Sequence, residues 1–420
     1  MKFSFNSLRV EYIFAFFLSA FAFTLPFSKY ALSISMFGMS ACIFLKNGNP
    51  GIQFHNHIVL LFKEVIRDKL YLWMILYYIT TIISGLWSSE FSSLQFFVAN
   101  YAPLVALPIA FKSQKIIHYK IIHLVLLIGI ISVSTQLGLV LHNYYSHFEE
   151  FNNLLLQGKS MQTPVSHIRF SLIISLNIMI LMYFILQRKI LIHRLELWLY
   201  IFLIIYLILG LHILSVKSGI AGFYLGAGII LILYFIRTQK IKWIWIIIPS
   251  GVILLCGMIY WVPSLNAKFY HLLWQLGQYS RGEYRWFSDL ERFQSIEFGI
   301  KMIQQNPILG TGIGDIYSST QKIYSAYLNT TDIRLPHNQF VFSWAFCGIP
   351  NFVSLCMICY YSFTRSFASK NILSLGAISM IWFSLMVEYG LGTQIGLCLC
   401  VFVLLITDSL YKLEGSHPND

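Results

Sequence analysis

LELWLYIFLIIYLILGLHILSVKSGIAGFYLGAGIILILYFIR, residues 195–237, contains two apolar runs, 195–214 and 218–236, that meet at the short turn SVKSG. An α-helix needs about 20 apolar residues to cross a hydrocarbon core, and each run supplies them. Ten further runs of this kind lie on either side, near 10–27, 30–45, 70–87, 93–111, 120–141, 168–187, 243–261, 338–363, 371–387 and 391–410. Composition agrees: 57% of the 420 residues are hydrophobic and 11% charged, where soluble domains carry about 25% charged residues. Mean hydropathy is +0.68. The predicted fold is therefore all-α, a polytopic membrane protein of about 12 transmembrane helices. Residues 1–261 hold helices one to nine, a polar loop spans 262–336, and 337–420 hold the last three helices and the tail.

Orientation follows from the basic residues, since Lys and Arg concentrate in cytoplasmic loops. Lys2, Arg9, Lys46, Lys63, Arg67, Lys69 and eleven others fall on one side, as does Lys412 in the tail. The opposite short loops hold only Lys29, Lys159, Arg169 and Lys217. Both termini are thus predicted cytoplasmic and the 262–336 loop external. Lys2 and Arg9 precede a first membrane helix with no small-residue cleavage site after it, so this helix is expected to be retained. Residues 52–66 are too short to cross and are expected along the cytoplasmic interface.

The net charge of +12 is explained by this topology, and no basic face with interleaved aromatics points to nucleic acid. Cys356, Cys359, Cys398 and Cys400 lie in apolar runs without His or acidic partners, which fits small core residues better than a metal site. There is no Walker motif.

Ionisable groups near the membrane plane are costly and usually face a cavity. Four places on the external side carry them. In SHIRFSL (166–172), Arg169 either snorkels to the interface or is a fixed cation for phosphate. In SVKSG (215–219), Lys217 is either an interfacial lysine in an ordinary turn or joins the N-terminus of the next helix in an anion site. In ERFQSIEFGIKMIQQNPILGTGIGD (291–315), Phe293, Ile296, Ile300 and Ile303 recur at helical spacing, so this helix is expected to lie on the outer membrane surface with Arg292 near its start. Asn306 and Pro307 end it, and Gly310, Gly312 and Gly314 allow a sharp turn. In RLPHNQFVFSWAFCGIPNF (334–352), His337 and Asn338 either cap a helix or present a neutral imidazole able to take a proton. Three cations beside one imidazole require an anion. A phosphate-bearing lipid entering from the bilayer meets that need. The external carboxylates form no DxD pair for Mg²⁺ or Mn²⁺, so metal-independent chemistry is expected, with no cofactor.

With these motifs the chain resembles the O-antigen ligase and polymerase superfamily of bacterial membrane glycosyltransferases. SVKSG is similar to the family's Ser-Arg-x-Gly turn, with Lys217 in place of Arg. RFQSIEFGIKMIQQNPILGTGIGD resembles its Arg-led helix ending in a glycine-rich turn, PHNQFVFSWAFCGIP its His-Asn segment, and HIRFSL is a fainter match. The resemblance implies a C-type glycosyltransferase fold with a helical periplasmic loop, in the bacterial inner membrane, with its active site on the periplasmic face. It implies inverting transfer of a glycan from undecaprenyl diphosphate to a lipid A-core or other glycan acceptor, with membrane lipid as the remaining partner. Arg292 matches the family's diphosphate-binding arginine and His337 its essential histidine. Lys217 and Arg169 are expected to bind the same diphosphate. At Lys217 the charge is kept but the bidentate fork of Arg is lost.

Two other activities fit parts of this reading. O-antigen, capsule or exopolysaccharide polymerases share the motifs. A transporter or flippase would show paired repeats and ionisable groups at mid-membrane, whereas the candidates here are external. The aromatic and basic segment YSRGEYRWF (279–287) is the expected acceptor contact.

Overall fold

The apolar runs fold as helices. A computed structural model describes residues 9–47, 52–54, 58–114, 118–190, 193–281, 288–369 and 371–416. The helices α1 (Val10–Thr24) and α2 (Lys29–Ala41) pack on each other, and Ser28 caps α2 by accepting from the Ala31 amide. A short antiparallel hairpin, β1 (Leu45–Asn47) and β2 (Ile52–Phe54), pairs Lys46 with Gln53. The helix α3 (Ile58–Arg67) follows, so the segment expected at the interface is part strand and part short amphipathic helix. Next come α4 (Lys69–Ser84), α5 (Phe91–Tyr101), α6 (Pro103–Ser113), α7 (Tyr119–Ser146), α8 (Phe148–Leu156) and α9 (His167–Leu186). α10 (Glu196–Leu214), α11 (Lys217–Arg237) and α12 (Ile244–Trp261) complete the first part. The polar 262–336 segment carries α13 (Pro263–Ser280), α14 (Ser288–Gln305) and α15 (Ile316–Leu328). The chain closes with α16 (Gln339–Ala368), α17 (Ile372–Val387) and α18 (Gln394–Ser416).

Among the described residues, nine helical stretches are long and apolar enough to cross a membrane, and Val10–Thr24, Lys29–Phe44 and Ile372–Val387 are shorter apolar helices. All twelve fall on the runs expected from sequence, and this content is that of a multi-pass membrane protein. α17, at 16 residues, spans about 24 Å, less than a hydrocarbon core. It can be short because it sits at the centre, apolar on every face and almost wholly buried against α9, α11, α16 and α18. Gly376 of α17 meets Gly226 of α11 so closely that a Cβ would lie 2.7 Å from the Gly226 carbonyl. Small residues let two backbones approach in this way where packing, not water exclusion, holds helices together. α12 is the opposite case: none of its spanning window is buried, as expected of a helix whose apolar surface faces lipid.

α16 is broken at Gly348, whose φ of +75° and ψ of −175° are not helical. The break would strand the carbonyls of Ala345 and Phe346, because Ile349 turns away and Pro350 has no N–H. The loop after α14 supplies the missing partners. Thr311 N–H donates to Ala345 O and Gly312 N–H to Phe346 O, each at 2.9 Å, while Ile349 N–H donates to Ile308 O at 3.0 Å. Gly310, itself at φ +71°, lies where a Cβ would be 2.7 Å from Gly348 N. The glycine turn is thus a docking device that holds α14 over the entrance of α16. Asp315 secures its far side by accepting from the Ser89 and Glu90 amides at 2.8–3.0 Å. Ser295, Phe298, Gly299 and Met302 form the buried face of α14, while Phe293 and Ile300 of the expected surface stripe are exposed and Ile296 and Ile303 half-buried.

At the opposite end of the bundle, Arg365 of α16 pairs with Asp68, which caps α4, and with Asp408 of α18; Lys412 also pairs with Asp408. Tyr71 donates to Asp408 at 2.5 Å. Cys398 and Cys400 are buried and Cys356 and Cys359 half-buried, all as free thiols.

Candidate functional site

Four segments distant in sequence converge where α9 begins, α14 crosses, α16 is entered and α17 ends. Arg169, in the first turn of α9, is buried. Its Nη1 lies 3.9 Å from Glu388 Oε2 and 3.5 Å from Ser166 Oγ. Arg292 comes from α14, and its Nη2 lies 3.1 Å from Glu388 Oε1. Glu388, the residue after α17, is only 4% exposed. One carboxylate therefore faces two guanidinium groups, one oxygen to each. A buried carboxylate without such partners would be strongly disfavoured.

His337 joins the cluster through Ser295, three residues along α14 from Arg292. The His337 backbone N–H donates to Ser295 Oγ at 3.1 Å, its Nδ1 lies 3.2 Å from the same oxygen, and Ser295 Oγ donates to the Arg292 carbonyl at 2.7 Å. The ring of Tyr389 packs edge-on against the imidazole at 5.7 Å and is itself stacked on Phe342. Burial pushes His337 below the ordinary imidazole range; Arg292 and Arg169 push the same way, against Glu388 and the Leu335 carbonyl. The result favours a neutral ring near pH 7, the form that accepts a proton. Helix capping falls instead to Asn338, whose Oδ1 accepts from the Phe340 and Val341 amides at 2.9 and 3.0 Å.

Lys217 stands exposed at the first residue of α11, after Ser215 in the left-handed region. Ser175 Oγ donates to the Gly219 carbonyl at 2.9 Å, which sets this helix start against the first turns of α9. The structure thus joins Arg169, Arg292 and His337 around Glu388 and places Lys217 on the neighbouring helix start. The expected acceptor segment falls largely outside the described residues, at 282–287.

The anion that the cations require is supplied in part by the chain itself, through Glu388. Sequence reasoning assigned the counter-charge to a phosphate-bearing lipid and weighed only the carboxylates of the external loops, for metal binding, while Glu388 sits in a three-residue gap between two apolar runs. A signal was there: Glu388 is the one charged residue between Lys370 and Asp408, in a stretch that is mostly apolar, and an ionisable group in that setting marks a functional site by default. Ser295 carried no comparable signal.

Residues 201–356 match the family described as O-antigen ligase. This match supports a place for the segment in the O-antigen ligase superfamily. The segment covers a little over a third of the chain and includes Lys217, Arg292, Ser295 and His337, while Arg169 and Glu388 lie outside it. The matched family suggests a glycosyltransferase-like enzyme of the O-antigen ligase group, and that family in general implies a lipid-linked glycan and an acceptor as partners. No curated relative matches the chain.

Proposed function

We propose that the protein is an O-antigen ligase-type glycosyltransferase. It moves a glycan from undecaprenyl diphosphate to a lipid A-core acceptor on the periplasmic face of the bacterial inner membrane. The observation that carries this reading is the joining of Arg292, Arg169 and His337 around one buried carboxylate at a single end of the bundle. Arg292 and Arg169 hold the diphosphate and stabilise the charge that grows on it as it leaves, Glu388 yielding part of its hold on them. Lys217 adds charge from the start of α11. His337 takes the proton of the acceptor hydroxyl. The acceptor oxygen bonds to the anomeric carbon from the face opposite the diphosphate, the old carbon–oxygen bond breaks with its electron pair passing to the diphosphate, and the configuration inverts. Guanidinium groups suit this task because their planar fork matches phosphate oxygens.

The site lies at the end of the bundle opposite Arg365 and Lys412. The excess of Lys and Arg on that far side supports a cytoplasmic location for it, with both termini there and the site outside. Twelve crossings are consistent with this arrangement, the 262–336 segment folding over the site from outside.

Purified protein given undecaprenyl-diphosphate glycan and lipid A-core tests the reading. Transfer is expected, and it should fall sharply in His337→Ala and Arg292→Ala variants that remain normally inserted. Wild-type transfer by either variant would overturn the assignment. A deletion strain separates ligase from polymerase. Accumulated long lipid-linked chains mark a ligase; lipopolysaccharide capped with a single repeat marks a polymerase.

A further inference from the structure

Ser295 is 1% exposed, and its hydroxyl takes part in three contacts that only one arrangement of protons satisfies. A serine hydroxyl has one proton to give and two lone pairs to receive with. The 2.7 Å approach to the Arg292 carbonyl needs the hydroxyl proton, because two oxygens that close repel without one. This is the usual bond of a helical serine back to its own preceding turn. The hydroxyl oxygen is then purely an acceptor toward His337. The His337 backbone N–H fills one lone pair at 3.1 Å, and the Nδ1 contact at 3.2 Å fills the other only if Nδ1 carries a proton. In the neutral ring that leaves Nε2 as the lone-pair nitrogen.

We infer that Ser295 is the positioning residue of the reaction: it fixes His337 as the Nδ1–H tautomer and aims Nε2 at the acceptor hydroxyl. Because the same hydroxyl bonds to the Arg292 carbonyl, it also sets the spacing between the base and the arginine that holds the leaving group. The inference rests on His337 acting as the base. Ser295 touches neither donor nor acceptor, so its effect passes through the imidazole and its spacing from Arg292.

The test compares Ser295→Ala, Ser295→Thr and Ser295→Cys with wild type and His337→Ala, all purified and assayed with undecaprenyl-diphosphate glycan and lipid A-core across pH. Ser295→Ala should lower kcat about 10²-fold, the scale of losing reactant orientation, and leave the KM for donor unchanged because Arg292 and Arg169 are intact. An acceptor at Nδ1–H favours the charged ring. Its loss lowers the His337 pKa, so the acid limb of the rate profile should move to lower pH. The other groups acting on the ring (Glu388, Arg292, the Leu335 carbonyl and Arg169) are the same in both proteins. Ser295→Thr should restore most of kcat and the position of the limb. If Ser295→Ala fails to fold, Ser295→Cys, similar in size but a weak acceptor, should show the same split in smaller measure. A Ser295→Ala enzyme with wild-type kcat and pH profile, beside an inactive His337→Ala, overturns the positioning role and leaves the base in place. An active His337→Ala overturns both.

Discussion

The two ends of the helix bundle each carry a cluster of charge, and they are built differently. At one end Arg365 and Lys412 meet Asp68 and Asp408, two cations against two carboxylates. Tyr71 satisfies Asp408 further, and Asp68 also caps α4. The Asp408 side chain is 1% exposed. This cluster is closed, and it clamps α4, α16 and α18. At the other end two guanidinium groups share the single carboxylate of Glu388, with a neutral imidazole beside them and the Arg292 side chain 34% exposed. That cluster has charge to spare, and exposure is not what sets it apart, since Lys412 at the first end is 33% exposed and Glu388 is buried much as Asp408 is. Each cluster holds more than one cation, and the difference lies in how completely those cations are matched. A matched set is structural, whereas an unmatched set is ready for an anion.

Substitutions can break this contrast. The largest effect is expected at the unmatched end, where His337→Ala should reduce transfer about 10²- to 10⁴-fold, the usual loss for a general base, with the thermal midpoint in detergent little changed. At the closed end the reverse is expected. Asp408→Ala leaves Arg365 without one of its buried partners and should destabilise the fold by about 3–5 kcal/mol, read as a lower thermal midpoint, with transfer per folded molecule unaltered. A loss of transfer without a loss of stability would make the closed cluster part of the reaction.

Glu388→Gln sharpens the comparison by removing the carboxylate that Arg169 and Arg292 share. Donor KM should fall about tenfold, roughly 1.4 kcal/mol, because the arginines no longer have to leave Glu388. Glu388 raises the His337 pKa, so its neutralisation lowers that pKa. The base then stays neutral to lower pH, and the acid limb of the rate profile should shift downward. An upward shift would mean that the carboxylate does not face the imidazole. The smallest effect is expected at exposed Lys217. Lys217→Ala should raise donor KM by about fivefold or less, and Lys217→Arg should stay within about threefold of wild type, the range of an exposed charge.

The helical membrane architecture was legible because apolar length and periodicity are local properties. The run at 371–387 and the helix Ile372–Val387 nearly coincide. The glycine turn was legible as a turn, but its partner was not. That Gly310 meets the Gly348 break, and that Thr311 and Gly312 donate to Ala345 and Phe346, depends on a tertiary approach that leaves no trace in spacing. The site divides in the same way. Arg169, Lys217 and His337 stand out as ionisable groups at the ends of apolar runs, and Arg292 near the start of an amphipathic helix in the polar loop. Glu388 is more than two hundred residues from Arg169, and Ser295 looks like any other helical serine.

Sequence alone therefore settles which segments prefer lipid, which side gathers the cations, and which few polar groups lie at the boundary, because the bilayer acts on each segment separately. Only the folded chain decides which of those groups share a proton or a counter-charge. Hydrogen bonds and ion pairs act over a few ångströms, and the contacts among Arg169, Arg292, Glu388, Ser295 and His337 exist only once four separate helix ends have packed together.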